Sequence, residues 1–139
     1  MIRDVEALLA RHEGFRRKPY LDTVGKTTIG IGRNLDDVGI SRVEALCLLR
    51  HDLAAARQTA VRYPWFEDLN EPRQAAILDM IVNLGAGGFR RFVKTRRYLA
   101  DADYRGAARE MLRSRWATQV GPRAIRLSRM IHTGQWPNR

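Results

Sequence analysis

Between Ala75 and Leu84 the chain is apolar on almost every side: Ala75, Ala76, Ile77, Leu78, Met80, Ile81, Val82 and Leu84, broken by Asp79 and Asn83. A helix of that kind cannot lie on a surface and must be surrounded. Asn70 is its expected N-cap and Pro72 is tolerated in its first turn. Gly85, Gly87 and Gly88 follow as a stop and turn, so the helix is expected over about 71–84. Covering it takes several further helices, and 139 residues supply one such body and little more.

Those helices can be read from the remaining sequence. Ile2, Val5, Leu8 and Leu9 recur at helical spacing, which predicts a first helix over 3–12, ended by Gly14. Ser41-Arg42-Val43-Glu44 is a capping box, opening a helix over about 42–62 that Pro64 stops; Val43, Leu46, Leu49 and Leu53 form one stripe on it. Shorter helices are expected over 92–100, 103–113 and 122–132, with a turn near Arg115-Trp116. Residues 15–35 differ, because Pro19, several glycines and the run Thr27-Thr28-Ile29-Gly30-Ile31 fit short strands joined near Thr23-Val24-Gly25. The fold class is α+β: a small β-containing lobe after the first helix, then an all-helical body. A groove between two such lobes is a common ligand site.

Composition narrows the partner. Lys+Arg is 25 against 15 acids, a net charge of +10, and only Lys18, Lys26 and Lys94 are lysines. Such a chain suits an anionic partner, whether nucleic acid, a membrane surface or an acidic wall polymer, and charge does not choose among them. Cys47, in the run Ala45-Leu46-Cys47-Leu48-Leu49, reads as a small core residue with no disulfide to make. The first residues carry acids where a signal peptide needs an apolar stretch, and no apolar run reaches membrane-spanning length. Folding in the cytoplasm, without an export signal, is the expectation. His12, His51 and His132 are scattered, so neither a metal nor a cofactor is expected.

Two carboxylates flank the β segment. Glu13 ends the first helix, Asp22 lies nine residues on at the turn, and Thr28 follows six residues later. Glycosidic hydrolysis uses such a set: one carboxylic acid protonates the leaving oxygen, and a second carboxylate activates water, with a hydroxyl to help hold it. Spacing alone leaves open that both are solvated loop acids.

The wording around the pair is more specific. His12-Glu13-Gly14-Phe15-Arg16, Tyr20-Leu21-Asp22-Thr23-Val24-Gly25 and Thr28-Ile29-Gly30-Ile31-Gly32 resemble the phage-type lysozymes, the muramidases of tailed bacteriophages. The likeness continues through the central helix and Gly85, Ser114-Arg115-Trp116, Gln119, Arg123 and Thr133-Gly134-Gln135-Trp136, so it covers essentially the whole chain. It implies one lysozyme-like domain: a first helix (1–12) packing with the helical lobe, a small β lobe (13–40), a connecting helix (41–62) and a helical lobe (63–139), with a cleft between the lobes. It implies cleavage of the β-1,4 bond between N-acetylmuramic acid and N-acetylglucosamine, with inversion, in host lysis by a phage or prophage. Glu13 matches the general acid, Asp22 the residue handling the attacking water, Thr28 its hydroxyl partner, and Arg123 an arginine that pairs with the acid and orients it. By position, Asn34, Val82, Thr95 and Glu110 match sites lining the sugar groove, with identities that differ from the usual ones, and Asn83 could touch the sugar through its amide.

There are departures. Arg33 stands where the family often has a histidine, so an Arg33–Asp52 ion pair is expected. The stretch between Leu35 and Ile40 is short, which implies a pared-down small lobe with a more open edge. Trp116 and Trp136 read as core anchors, Trp65-Phe66 as cover for an interhelix corner, and Tyr20 as packing or a hydrogen bond near the site. Asp79 needs a structural partner or an exposed edge. Arg90-Arg91 and Arg96-Arg97 read as a solvated helix face. The expected partners are glycan strands of peptidoglycan and anionic wall or outer-membrane polymers, with no nucleic acid, for a monomer made in the host cytoplasm and given access to the wall by another factor. The alternatives are a basic nucleic-acid-binding domain without catalysis, a wall-binding module and a lytic transglycosylase. The first shows no zinc finger, RNA-recognition signature or helix-turn-helix, and the acid pair argues against the second.

Overall fold

The computed structural model describes residues 4–138. Ile2 and Arg3, expected in the first helix, lie outside the described residues. The chain divides into two compact units, one up to Leu48 and one from Leu49.

In the first unit α1 (Val5–Glu13) starts at Asp4, whose carboxylate accepts from the Ala7 amide at 2.8 Å, and ends at Gly14. An antiparallel sheet follows in the order β1 (Arg16–Leu21), β2 (Thr27–Gly30), β3 (Arg33–Asn34). Tyr20 stands opposite Thr28 and Thr28 opposite Asn34, so Thr28 sits in the middle of the sheet. The short stretch after β3 is pinned by side chains: Asp36 accepts from the Thr27 amide at 2.7 Å, and Asn34 exchanges two hydrogen bonds with Asp37. The capping box forms as expected, with Glu44 accepting from the Ser41 amide and Ser41 Oγ from the Glu44 amide. It opens α2 (Arg42–Ala60), whose later part belongs to the second unit.

The second unit continues with α3 (Glu71–Arg90), α4 (Val93–Ala100), α5 (Tyr104–Arg113), α6 (Arg115–Val120) and α7 (Pro122–Thr133). Asn70 caps α3 by accepting from the Arg73 amide at 3.1 Å. Ala76, Ile77, Leu78, Met80 and Ile81 of α3 are buried, as a helix apolar on all sides requires. They pack in one core with Trp65, Phe66, Phe89, Leu99, Met111, Trp116 and Ile131.

Five local expectations change. Gly85 ends the central helix as expected, at φ 77° and ψ 166°, but a second helical stretch runs on to Arg90 where only a turn was expected. Arg33 forks onto Glu44, with bonds of 2.9 and 2.5 Å, and not onto Asp52. The short link after β3 brings the first turn of α2 to the arginine. Cys47 is exposed, not a core residue. Trp136 is 55% exposed because it follows the end of α7 and lies outside the core. Arg96 is not a solvated cation: its guanidinium lies 5.4 Å from the Tyr63 ring centroid and donates to the Arg90 carbonyl.

Candidate active site

The hairpin turn explains why Asp22 is where it is. Its Oδ1 accepts from the amides of Val24 (2.9 Å) and Lys26 (2.8 Å), which is how an aspartate closes a turn on its own backbone. Its amide donates to the Lys26 carbonyl at 2.9 Å. That carbonyl also accepts the Thr28 hydroxyl proton at 3.0 Å. One peptide group, that of Lys26, therefore sets the positions of both Asp22 and Thr28. Among the described residues no protein donor reaches Asp22 Oδ2, so one carboxylate oxygen remains for another molecule. Thr28 is 3% exposed and spends its proton on the backbone, which leaves its oxygen as an acceptor.

Glu13 is the last residue of α1, and its carboxylate lies against the Cα of Gly32. A Cβ on Gly32 would stand 2.5 Å from Glu13 Oε2, and the glycine holds φ at +72°. No other residue suits both conditions. The T-I-G-x-G wording thus has a physical reading: Thr28 is the buried acceptor and Gly32 makes room for the acid. Tyr20 packs beneath the Arg16 guanidinium, 4.3 Å from its ring centroid.

The expected groove residues fall into three environments. Asn34 has both ends of its amide engaged by Asp37. In the second unit, Thr95 and Glu110 line one groove of about 390 Å³ with Arg113, which pairs with Glu110 at 3.3 Å. Val82 and Arg123 line another, of about 300 Å³, with Asp79 and Arg57. The Arg123 guanidinium is held by Asp79, at 2.6 and 2.8 Å. Asn83 accepts from the indole N–H of Trp116 at 2.7 Å, so its carbonyl is already in use.

Two features escaped sequence reasoning. The Lys26 peptide carried no side-chain signal. Asp79 is visible in the sequence as the one charged residue between Ala75 and Leu84, but its partner, 44 positions away, is not. The Arg33–Glu44 fork is the strongest electrostatic feature of the first unit. Hydrogen bonds from Arg33 and Ser41 hold the Glu44 carboxyl at about 2, well below its ordinary range, and the Arg33 guanidinium is raised in turn. Among the described residues no group of three or more metal-ligating side chains converges, and no helix is long and apolar enough to cross a membrane.

Comparison with known proteins gives the family. The family model "Phage lysozyme" matches residues 10–129. The pre-baseplate central spike protein Gp5 of Enterobacteria phage T4 is 29% identical over 91% of this chain, which covers 27% of that protein. Probable T4-type lysozyme 1 of Dictyostelium discoideum is 26% identical, with 96% of each chain covered. The SAR-endolysin of bacteriophage PS119 is 35% identical over 76% of this chain and 64% of its own length. With a family match over most of its length, the chain belongs to the phage lysozyme family, whose enzymes are glycoside hydrolases of peptidoglycan.

Proposed function

We propose that this chain hydrolyses the β-1,4 bond between N-acetylmuramic acid and N-acetylglucosamine with inversion, in the lysis of a bacterial host. The observation that carries the reading is the state of Asp22 and Thr28 on the Lys26 peptide. One oxygen of Asp22 is locked and the other available, and the Thr28 hydroxyl oxygen, held on the same Lys26 carbonyl as the Asp22 amide, can only accept. A water between them has two acceptors for its two protons, so its lone pair is directed outward toward the anomeric carbon. In the step, Glu13 gives its proton to the leaving oxygen, the C–O bond breaks, and water oxygen bonds to C1. Asp22 Oδ2 takes the proton the water loses. Arg123 is assigned the acid-orienting part by its match to the family arginine; its Nε and Nη2 are already on Asp79, which leaves Nη1 for the acid. Of the proposed sugar contacts, Val82 keeps an unengaged side chain in its groove, whereas Thr95 is buried, Glu110 is paired with Arg113, and Asn34 and Asn83 have their amides engaged already. Access to the wall through another factor rests on the sequence reading alone, and the kinship with a SAR-endolysin points to a different release route.

Mass analysis of digested peptidoglycan tests the reaction. Reducing-end muramic acid is expected from the wild type, and none from Glu13→Gln. Anhydro-muramic ends would make the chain a lytic transglycosylase, and undigested wall would remove the hydrolase reading.

A further inference from the structure

One face of the second unit serves neither its core nor the grooves described above. From Tyr104 to Asn138 the sequence holds seven arginines and a single acid, Glu110, which Arg113 already pairs with. α5 and α7 bury Ala107, Met111, Leu127, Met130 and Ile131 on one side, which fixes what they present on the other. There, Arg105, Arg109 and Arg129 surround Leu112 and Ile125 in a hollow of about 340 Å³. A second hollow, of about 330 Å³, shares Ile125 and Arg129 and adds Arg126 and Trp136. The two are one continuous surface. Leu112, Ile125 and Trp136 are 47%, 52% and 55% exposed. Among the described residues none of Arg105, Arg109, Arg126 and Arg129 meets a carboxylate.

We propose that this face docks on an anionic lipid surface. Unpaired guanidiniums fork onto phosphate oxygens, which gives charge complementarity to lipid headgroups. The apolar residues decide between anionic partners. A nucleic acid or a wall polymer can stack on the tryptophan but makes no use of an exposed leucine and isoleucine set among its cation contacts. A lipid boundary takes all three, and tryptophan is at home at headgroup depth. The face is built on two packed helices and needs no folding step to bind. The proposal goes beyond the glycan chemistry and stands or falls separately from it.

Sedimentation with vesicles provides the test. The full chain is expected to sediment with phosphatidylcholine vesicles containing phosphatidylglycerol and not with phosphatidylcholine alone. The Arg126→Gln/Arg129→Gln variant should bind roughly 25-fold more weakly, at about fivefold per basic residue near the surface. Ile125→Ser/Trp136→Ser should also bind more weakly, and should do so in high salt as well. On the unaltered protein, brominated lipid should quench tryptophan emission through Trp136, since Trp65 and Trp116 are 7% and 4% exposed. No binding, equal binding to both vesicles, or absence of quenching overturns the proposal. So does wild-type binding by Ile125→Ser/Trp136→Ser, which would leave a bare cationic surface of the kind nucleic acids and wall polymers take.

Discussion

The two units of this chain are held together by different physics. In the second, the core from Ala56 to Ile131 is apolar and packed, with Thr95 and Ser128 the buried polar exceptions. In the first, among the described residues, the one buried side chain is Thr28, a polar group. Its shape comes from side chains bonded to backbone: Asp22 on the turn, Asp36 on Thr27, and Arg33 on Glu44 and on the Gly39 carbonyl. The acids assigned to the chemistry sit in this polar unit. Charged groups that must meet water and sugar cannot be placed by burial, because burial would cost them their hydration. They are placed by hydrogen bonds and by glycine, whereas the helical unit is placed by apolar packing.

The contrast can be broken at its apolar end first. Phe89 is fully buried among Tyr63, Trp65 and Phe92, so Phe89→Ala should cost about 3–5 kcal/mol in thermal or urea unfolding. A loss under 1 kcal/mol would mean that the core is not the scaffold described here. Gly32→Ala probes the polar end. The new methyl meets the Glu13 carboxylate and a φ of +72°, so wall clearing should fall at least tenfold while stability falls by about 1–2 kcal/mol. Unchanged clearing would detach Gly32 from the acid. The smallest effect is the pH response of the Arg33–Glu44 fork. Its carboxyl is depressed to about 2 in the fold, so its stabilising contribution is present above the ordinary range near 4.5 and is lost as pH falls toward 2. Both side chains are partly exposed, which screens the pair and keeps the effect small. Glu44→Gln should unfold with a shallower acid limb than the wild type in matched melts over that range, and superimposable limbs would remove the fork from the account.

The same division explains what could be read in advance. Helix ends announce themselves locally, so the Ser41–Glu44 box and the Asn70 cap were legible and form as read. The apolar run after Asn70 had to be central, and it is. Apolar neighbours name a face and not what covers it, so Cys47 and Trp136 read as core residues in the sequence and are exposed in the fold. Ion pairs depend on how a loop returns, so the sequence points Arg33 to Asp52 where the short link delivers Glu44. The acids and Thr28 were legible only through their wording; that one backbone peptide positions two of them leaves no mark in residue identity.

The central claim is that Asp22 does chemistry while its turn does structure, and one substitution separates the two. Asn at position 22 keeps the Oδ1 that accepts from Val24 and Lys26 and removes the negative charge. Clearing of peptidoglycan-exposed cells by Asp22→Asn should fall by about a hundredfold or more, with a melting temperature within a few degrees of the wild type. Clearing at the wild-type rate by a protein that melts normally would contradict the account.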